Sequence, residues 1–224
     1  MTRRHLLIIP CLILIGLIIT AGFRGLADVN VQSARRSLMS WESDANTLNI
    51  TEWTNAYDDV SKAVSQDPLN PDLLTLMAKV QEWKVYLDYG DVENNHYLTL
   101  ALINYRKAAE LRPAWPYAWS NISLVKYRMS EIDQELQQAI ENATKTGPWE
   151  PGVQQITAEV GLGVWEELDF AMRKIIVQNI HRGITMQPIL MLNILKKYGQ
   201  LKMVCYEKNK QATVTLYCEK NFGS

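Results

Sequence analysis

The chain has 224 residues, 47% hydrophobic and 21% charged, with a formal net charge of −1. That near balance of acid and base excludes the basic footprint of a nucleic-acid-binding protein, and no low-complexity tract or long Gly/Ser linker marks disorder. Cys11, Cys205 and Cys218 are too few for a disulfide scaffold, and with His5, His96 and His181 scattered they do not make a zinc pattern.

Leu6 to Phe23 is an uncharged run with eleven Leu or Ile residues, preceded by Arg3, Arg4 and His5. At about 1.5 Å per residue it covers roughly 27 Å, enough for a slightly thin bilayer core. Pro10 falls in the first turns, where its missing N–H matters least. Residues 6–23 are therefore expected to anchor the chain, with 1–26 as cytoplasmic tail plus transmembrane helix. A cleaved signal peptide is the rival reading, because Gly25-Leu26-Ala27 offers a small-x-small site; the apolar run is long for one. Arg3 and Arg4 favour an inside amino terminus, although Arg24, Arg35 and Arg36 lie on the other flank. The expected topology is a single pass with the amino terminus inside and the body outside the cytoplasm, in the periplasm if the cell is Gram-negative.

Residues 27–200 carry helical signals throughout. Asp28 to Asp44 continues the first helix, with Val29, Leu38 and Trp41 as inward candidates. Thr51 is expected to cap a helix to about Gln66, with Trp53, Ala56, Val60 and Ala63 at helical spacing. Asn70-Pro71-Asp72 supplies a cap, a proline at the first helical position and an acid in the first turn. That helix carries Leu74, Met77, Ala78, Gln81 and Val85 to about Gly90, and polar Asp91 to Tyr97 reads as a loop. Leu98 to Leu111 follows, with Ala101, Tyr105 and Ala108 on one face, and Pro116 opens the next helix. Ser130 followed by Asp133 resembles a capping box for a helix through Leu136, Ile140 and Ala143 to Gly147. Pro151, Asp169 and Pro188 begin the remaining helices, the last ending at Gly199.

The tail, 201–224, reads differently. Met203–Tyr206 and Thr213–Tyr217 are β-type runs around Glu207-Lys208-Asn209-Lys210, which predicts a small hairpin closed by a Cys205–Cys218 disulfide. Two unrelated buried thiols, and a helical ending, are the alternatives.

Three Pro-x-x-Pro steps punctuate the body: Pro68/Pro71, Pro113/Pro116 and Pro148/Pro151, at intervals of 45 and 35 residues. Ala63, Ala108 and Ala143 each stand five positions before a step, and Val60, Tyr105 and Ile140 three before those alanines. A recurring Ala and Pro at a period near 34 is the mark of stacked helix pairs. The predicted fold is all-α: a tetratricopeptide-like α-solenoid of three to four hairpins behind the anchor, without the glycine of the consensus first helix.

No reactive constellation stands out. The nucleophile-elbow, phosphate-loop, zinc-protease and calcium-loop patterns are absent from the sequence. Gly161-Leu162-Gly163 lies in a helical pattern and reads as close helix packing. Adjacent acids such as Asp58/Asp59 and Glu166/Glu167 diverge on a helix and do not form a glycosidase pair. Catalytic, cofactor and metal residues are accordingly none. Trp115, Tyr117, Trp119 and Trp149 crowd the proline steps, either as a platform for a partner or sugar rings or as stiffeners of the turns.

The residues Ala27-Asp28-Val29, Trp41, Trp53, Asp67-Pro68-x-Asn70-Pro71, Leu111-Arg112-Pro113-x-Trp115-Pro116-Tyr117-x-Trp119 and Gly147-Pro148-Trp149-Glu150-Pro151-x-Val153-Gln154 resemble the VpsP-like family of polysaccharide biosynthesis proteins. The resemblance covers nearly the whole chain, and its two Pro-Trp turns are the most specific part. It implies a single-pass inner-membrane protein with a periplasmic helical-repeat body, working beside exopolysaccharide and biofilm-matrix machinery. The expected partner is a protein of a polysaccharide assembly or export complex, with the polysaccharide itself as a second candidate. The family brings no catalytic residue to this chain.

Overall fold

The computed structural model describes residues 3–87, 93–206 and 211–222, and every regular element among them is helical. The fold is all-α, successive helices pairing as hairpins, and the chain divides into two compact units, 1–111 and 112–224.

The first unit holds α1 (Arg3–Asn30), α2 (Gln32–Ser43), α3 (Ile50–Gln66), α4 (Pro71–Leu87) and α5 (Glu93–Leu111). Only Val31 separates α1 from α2, and the two share one buried stripe of Ala27, Val31, Ala34, Leu38 and Trp41. The stripe advances by four, three, four and three residues, the step of one helix face. Val29 falls on the opposite face and is 69% exposed, so it is not the inward residue expected. On α3 the matching face is Trp53, Ala56, Val60 and Ala63, and the Trp53 indole N–H reaches the Val80 carbonyl at 2.8 Å. Asn49, not Thr51, caps α3: its extended backbone aims the side-chain oxygen at the Glu52 amide, 3.0 Å away. The α4–α5 hairpin is pinned by Tyr105 Oη donating to Glu82 and Asn104 Nδ2 to Gln81. The loop expected at 91–97 is not formed over its described residues. Its described part, from Glu93, already belongs to α5, because Tyr97 packs edge-on against Trp53 at 5.4 Å; positions 91–92 lie outside the described residues.

The second unit holds α6 (Pro116–Arg128), α7 (Gln134–Thr146), α8 (Pro151–Gly163), α9 (Phe170–Met186), α10 (Pro188–Lys197), α11 (Lys202–Cys205) and α12 (Ala212–Phe222). Its core runs from Leu136 and Ile140 through Val160, Ile176, Ile180, Met191 and Leu195 to Val214. Each fully buried aliphatic side chain there contributes about 1.5–3 kcal/mol. Ser130 is not a cap: it sits in the left-handed region at φ 59°, which turns the chain out of α6, and Asp133 caps α7 through the Leu136 amide at 3.1 Å.

The proline steps share one geometry. The amide before the second proline donates to the carbonyl before the first: Asn70 to Asp67 at 3.2 Å, Trp115 to Arg112 at 3.0 Å, Glu150 to Gly147 at 3.2 Å. The second proline then takes the first helical position, where no amide is needed. A fourth element of the series escaped the sequence reading. Gly183 stands where an alanine would, Ile180 three before it, and Pro188 five after it opens α10 directly.

The expected β-hairpin is not formed. Residues 202–205 and 212–222 are helical, and 207–210 lie outside the described residues. A helix puts Val214, Tyr217 and Cys218, three and four apart, on one side; there Val214 and Cys218 are buried in the core with Leu192 and Leu195, and Tyr217 Oη reaches Asn193 at 2.7 Å. A strand would send Tyr217 to the opposite face. Cys205 and Cys218 are joined by a disulfide across 13 residues, with Cα atoms 5.7 Å apart.

Among the described glycines, close approach is tightest at Gly161. A Cβ there would clash with Ile176 Cδ1 and lie 2.6 Å from its Cγ1, and Ile176 is itself fully buried. Gly161→Ala is expected to lower stability by about 1–3 kcal/mol, measured as a fall in urea midpoint; an unchanged midpoint would contradict this packing.

Candidate functional site

The sequence singles out the proline steps and their aromatics, and in the second unit two steps are stacked on each other. A Cβ on Gly147 would lie 2.5 Å from Pro116, and one on Gly152 3.0 Å from Tyr117. Glycine at 147 is thus required by closeness; its φ of −134° is open to any residue. Tyr117 Oη donates to Glu150 at 2.8 Å, tying the steps together. Partial burial, then the hydrogen bond to Glu150 and its charge, push the Tyr117 phenol up to about 12.

Side chains from the next helix also secure each step. Trp119 Nε1 donates to the Pro113 carbonyl at 2.8 Å, and Gln154 Nε2 to the Pro148 carbonyl at 3.0 Å, both six residues back. Trp119 is therefore a structural clamp, half-buried in its turn. Trp115 and Trp149 point outward, 39% and 57% exposed. Trp115 lies 5.4 Å from the Tyr117 ring and has the Arg112 guanidinium over its face at 5.5 Å. The four aromatics thus divide: Trp119 and Tyr117 hold the edge, Trp115 and Trp149 offer rings to solvent. Of the prolines, Pro116 is buried, whereas Pro68 and Pro113 are exposed.

Two polar constellations went unnoticed in the sequence. Buried Lys126 on α6 places its ammonium 2.8 Å from Glu131, 2.9 Å from Asp133 and 2.9 Å from Glu135. Burial acts to lower the Lys126 pKa, but its hydrogen bonds to the three carboxylates outweigh it and hold the ammonium well above its usual range. The cluster locks the turn from α6 to α7. Its signal was present, a lysine followed by acids at five, seven and nine positions, but alternating charges usually mark a solvated face. The other constellation joins three helices: Glu159 on α8 accepts from Tyr198 Oη at 2.9 Å and Lys197 Nζ at 2.8 Å, at the end of α10. Burial first, then hydrogen bonds with Tyr127 of α6 and with Glu159, drive the Tyr198 phenol strongly upward. Gly163 gives the Tyr127 ring its place, since a Cβ there would be 2.5 Å from its oxygen.

In the first unit a cavity of about 410 Å³ opens between α2 and α3, lined by Ser33, Ser37, Glu52, Asn55, Asp59 and Lys62. Ser33 donates to Asp59 across it. Its groups hydrogen-bond and carry charge, which suits recognition of a polar chain. Among the described residues no three His, Cys, Asp or Glu side chains are arranged to hold a metal. The amino-terminal helix is apolar, mean hydropathy 2.0 over a window that is 0% buried, and is long enough to be a membrane span or a signal sequence.

The Lys126 cluster makes a pH prediction. Burial acts to raise the Asp133 pKa, but hydrogen bonds from Lys126 and the Leu136 amide hold it below its usual 3.8. Its contribution is therefore complete above that value and disappears as pH falls through the lower folded one. Asp133→Asn keeps the cap acceptor and loses the charge. Because Asp133 is half-exposed, the variant should be less stable at neutral pH by no more than about 1 kcal/mol, and the gap should close in acid. Urea titrations across pH measure it; a gap that widens in acid would contradict the ion pairing.

No protein-family model matches the chain, and no curated protein matches it. Among solved structures, the crystal structure of MamA protein is similar at 14% identity, covering 86% of this chain and 98% of that one, with a TM-score of 0.29.

Proposed function

We propose that the chain is a non-catalytic scaffold of exopolysaccharide assembly or export, anchored in the inner membrane by α1 and presenting its helical repeats in the periplasm. The observation that carries the reading is the passage of α1 into the first repeat. The described part of the apolar stretch is exposed through Gly22, and by Ala27 the same helix is buried in the core. A cleavable leader is ordinarily followed by an extended, accessible segment; here its small-x-small site lies inside a helix, with Ala27 buried. Stacked hairpins bind other proteins through their surfaces, and fixing one to a bilayer raises its effective concentration toward membrane partners. The resemblance to the VpsP-like family supplies the polysaccharide context.

A photo-crosslinking residue placed at Ser37 or Asn55, in the α2–α3 cavity, should trap a protein of the polysaccharide machinery in intact cells. Recovery of none from either site, with the chain in the membrane fraction, would count against the scaffold reading.

A second reading is favoured by the outward rings of Trp115 and Trp149, which suit stacking on sugar faces. Matrix oligosaccharide should then quench tryptophan fluorescence, and Trp115→Ala with Trp149→Ala should abolish that quenching while leaving the helical circular dichroism intact. Quenching that survives both changes would assign it elsewhere.

A further inference from the structure

The turn after α3 bears on where the body meets lipid. Pro68 and Leu69 are both exposed there, Leu69 by 65%, and neither is needed to close the step, whose hydrogen bond runs between Asn70 and Asp67. The same turn is fastened to the first helix just past its apolar stretch: Arg24 Nε lies 3.4 Å from Asp67 Oδ2, and Asn30 Nδ2 lies 3.3 Å from Gln66 Oε1. Arg24 is the first charged residue after Phe23. With the apolar run in the hydrocarbon layer, Arg24 marks its edge, and the headgroup region beyond that edge is roughly 5–8 Å deep. A turn within hydrogen-bonding reach of the Arg24 side chain stands in that layer. Arg24 also pairs with Asp67, so the base of the turn carries no unpaired carboxylate toward the lipid.

The geometry points to the Pro68–Leu69 turn as a second membrane contact: Leu69 inserts among the lipid headgroups, and the Arg24–Asp67 pair is the strut that sets its depth. Exposed leucine is stabilised in such a layer and not in water. One inserted helix leaves the body free to tilt, whereas two points of contact on one helical unit define its attitude to the bilayer. Within the first unit, α3 runs away from this turn, so Ile50 at its other end, 54% exposed, faces water. The inference rests on the reading of α1 as a retained span.

Spin labels report it directly. The full chain with Cys11→Ser, its disulfide intact, is placed in nanodiscs of phosphatidylethanolamine and phosphatidylglycerol. Cysteine is introduced at Leu14, Leu69 or Ile50 in separate samples. The Leu14 label should be accessible to oxygen and closed to a water-soluble nickel chelate. The Leu69 label should lose most of the nickel accessibility shown by the Ile50 label, and Asp67→Asn should restore part of it. A Leu69 label as open to nickel as the Ile50 label, beside a lipid-embedded Leu14 label, overturns the contact and leaves the anchor standing. A Leu14 label open to nickel overturns both.

Discussion

Antiparallel helices can share a core only where their backbones come close, and here small residues at the contacts allow it. Ala63, Ala108, Ala143 and Gly183 are all buried, each near the end of the helix that precedes a step. A longer side chain at these points would hold the helices apart and open the space now filled by Val60, Tyr105, Ile140 and Ile180. The proline steps follow from that constraint. A helix ending against its neighbour must reverse within a few residues. A turn closed by one backbone bond, with proline at the next first position, does so with one fewer orphan amide in the new helix.

Buried polar groups then tie together the two helices of a hairpin. Tyr105 with Glu82, Lys126 with its three acids, and Asn179 donating to the Gln154 carbonyl each bridge two helices from a buried position. Such bonds add little net stability but penalise any slip of one helix along another, because a shifted partner leaves a buried donor without an acceptor. Hydrophobic stripes set the pairing, and these bonds set the register.

Much of this order was legible in the sequence, because a repeat writes the same requirement several times. The alanines, prolines and helix starts at Pro71, Pro116, Pro151 and Pro188 needed only counting. Errors arose where one local signal competed with tertiary packing. Val29 looks as apolar as Val31, and only the phase of the whole stripe separates them. The tail is rich in β-branched and aromatic residues, yet burial of Val214 and Cys218 against α10 decides for helix. The site was less legible than the fold. Trp119 and Trp115 share one motif, and only the hydrogen bond to Pro113 shows which ring is structural. Glu159 and Tyr198 are 39 residues apart, a distance at which no spacing rule operates.

The last helices behave unlike the rest because a covalent bond holds them. α11 has a single turn, and α12 is tied to it through Cys205 and Cys218. Together they cover the end of the second core at Leu192, Leu195 and Val214, the place where a stack of hairpins otherwise shows its hydrophobic interior to water. Without that bond, only the packing of Val204, Val214 and Tyr217 would hold these two short helices over the core, so breaking it should loosen this end of the unit before the rest.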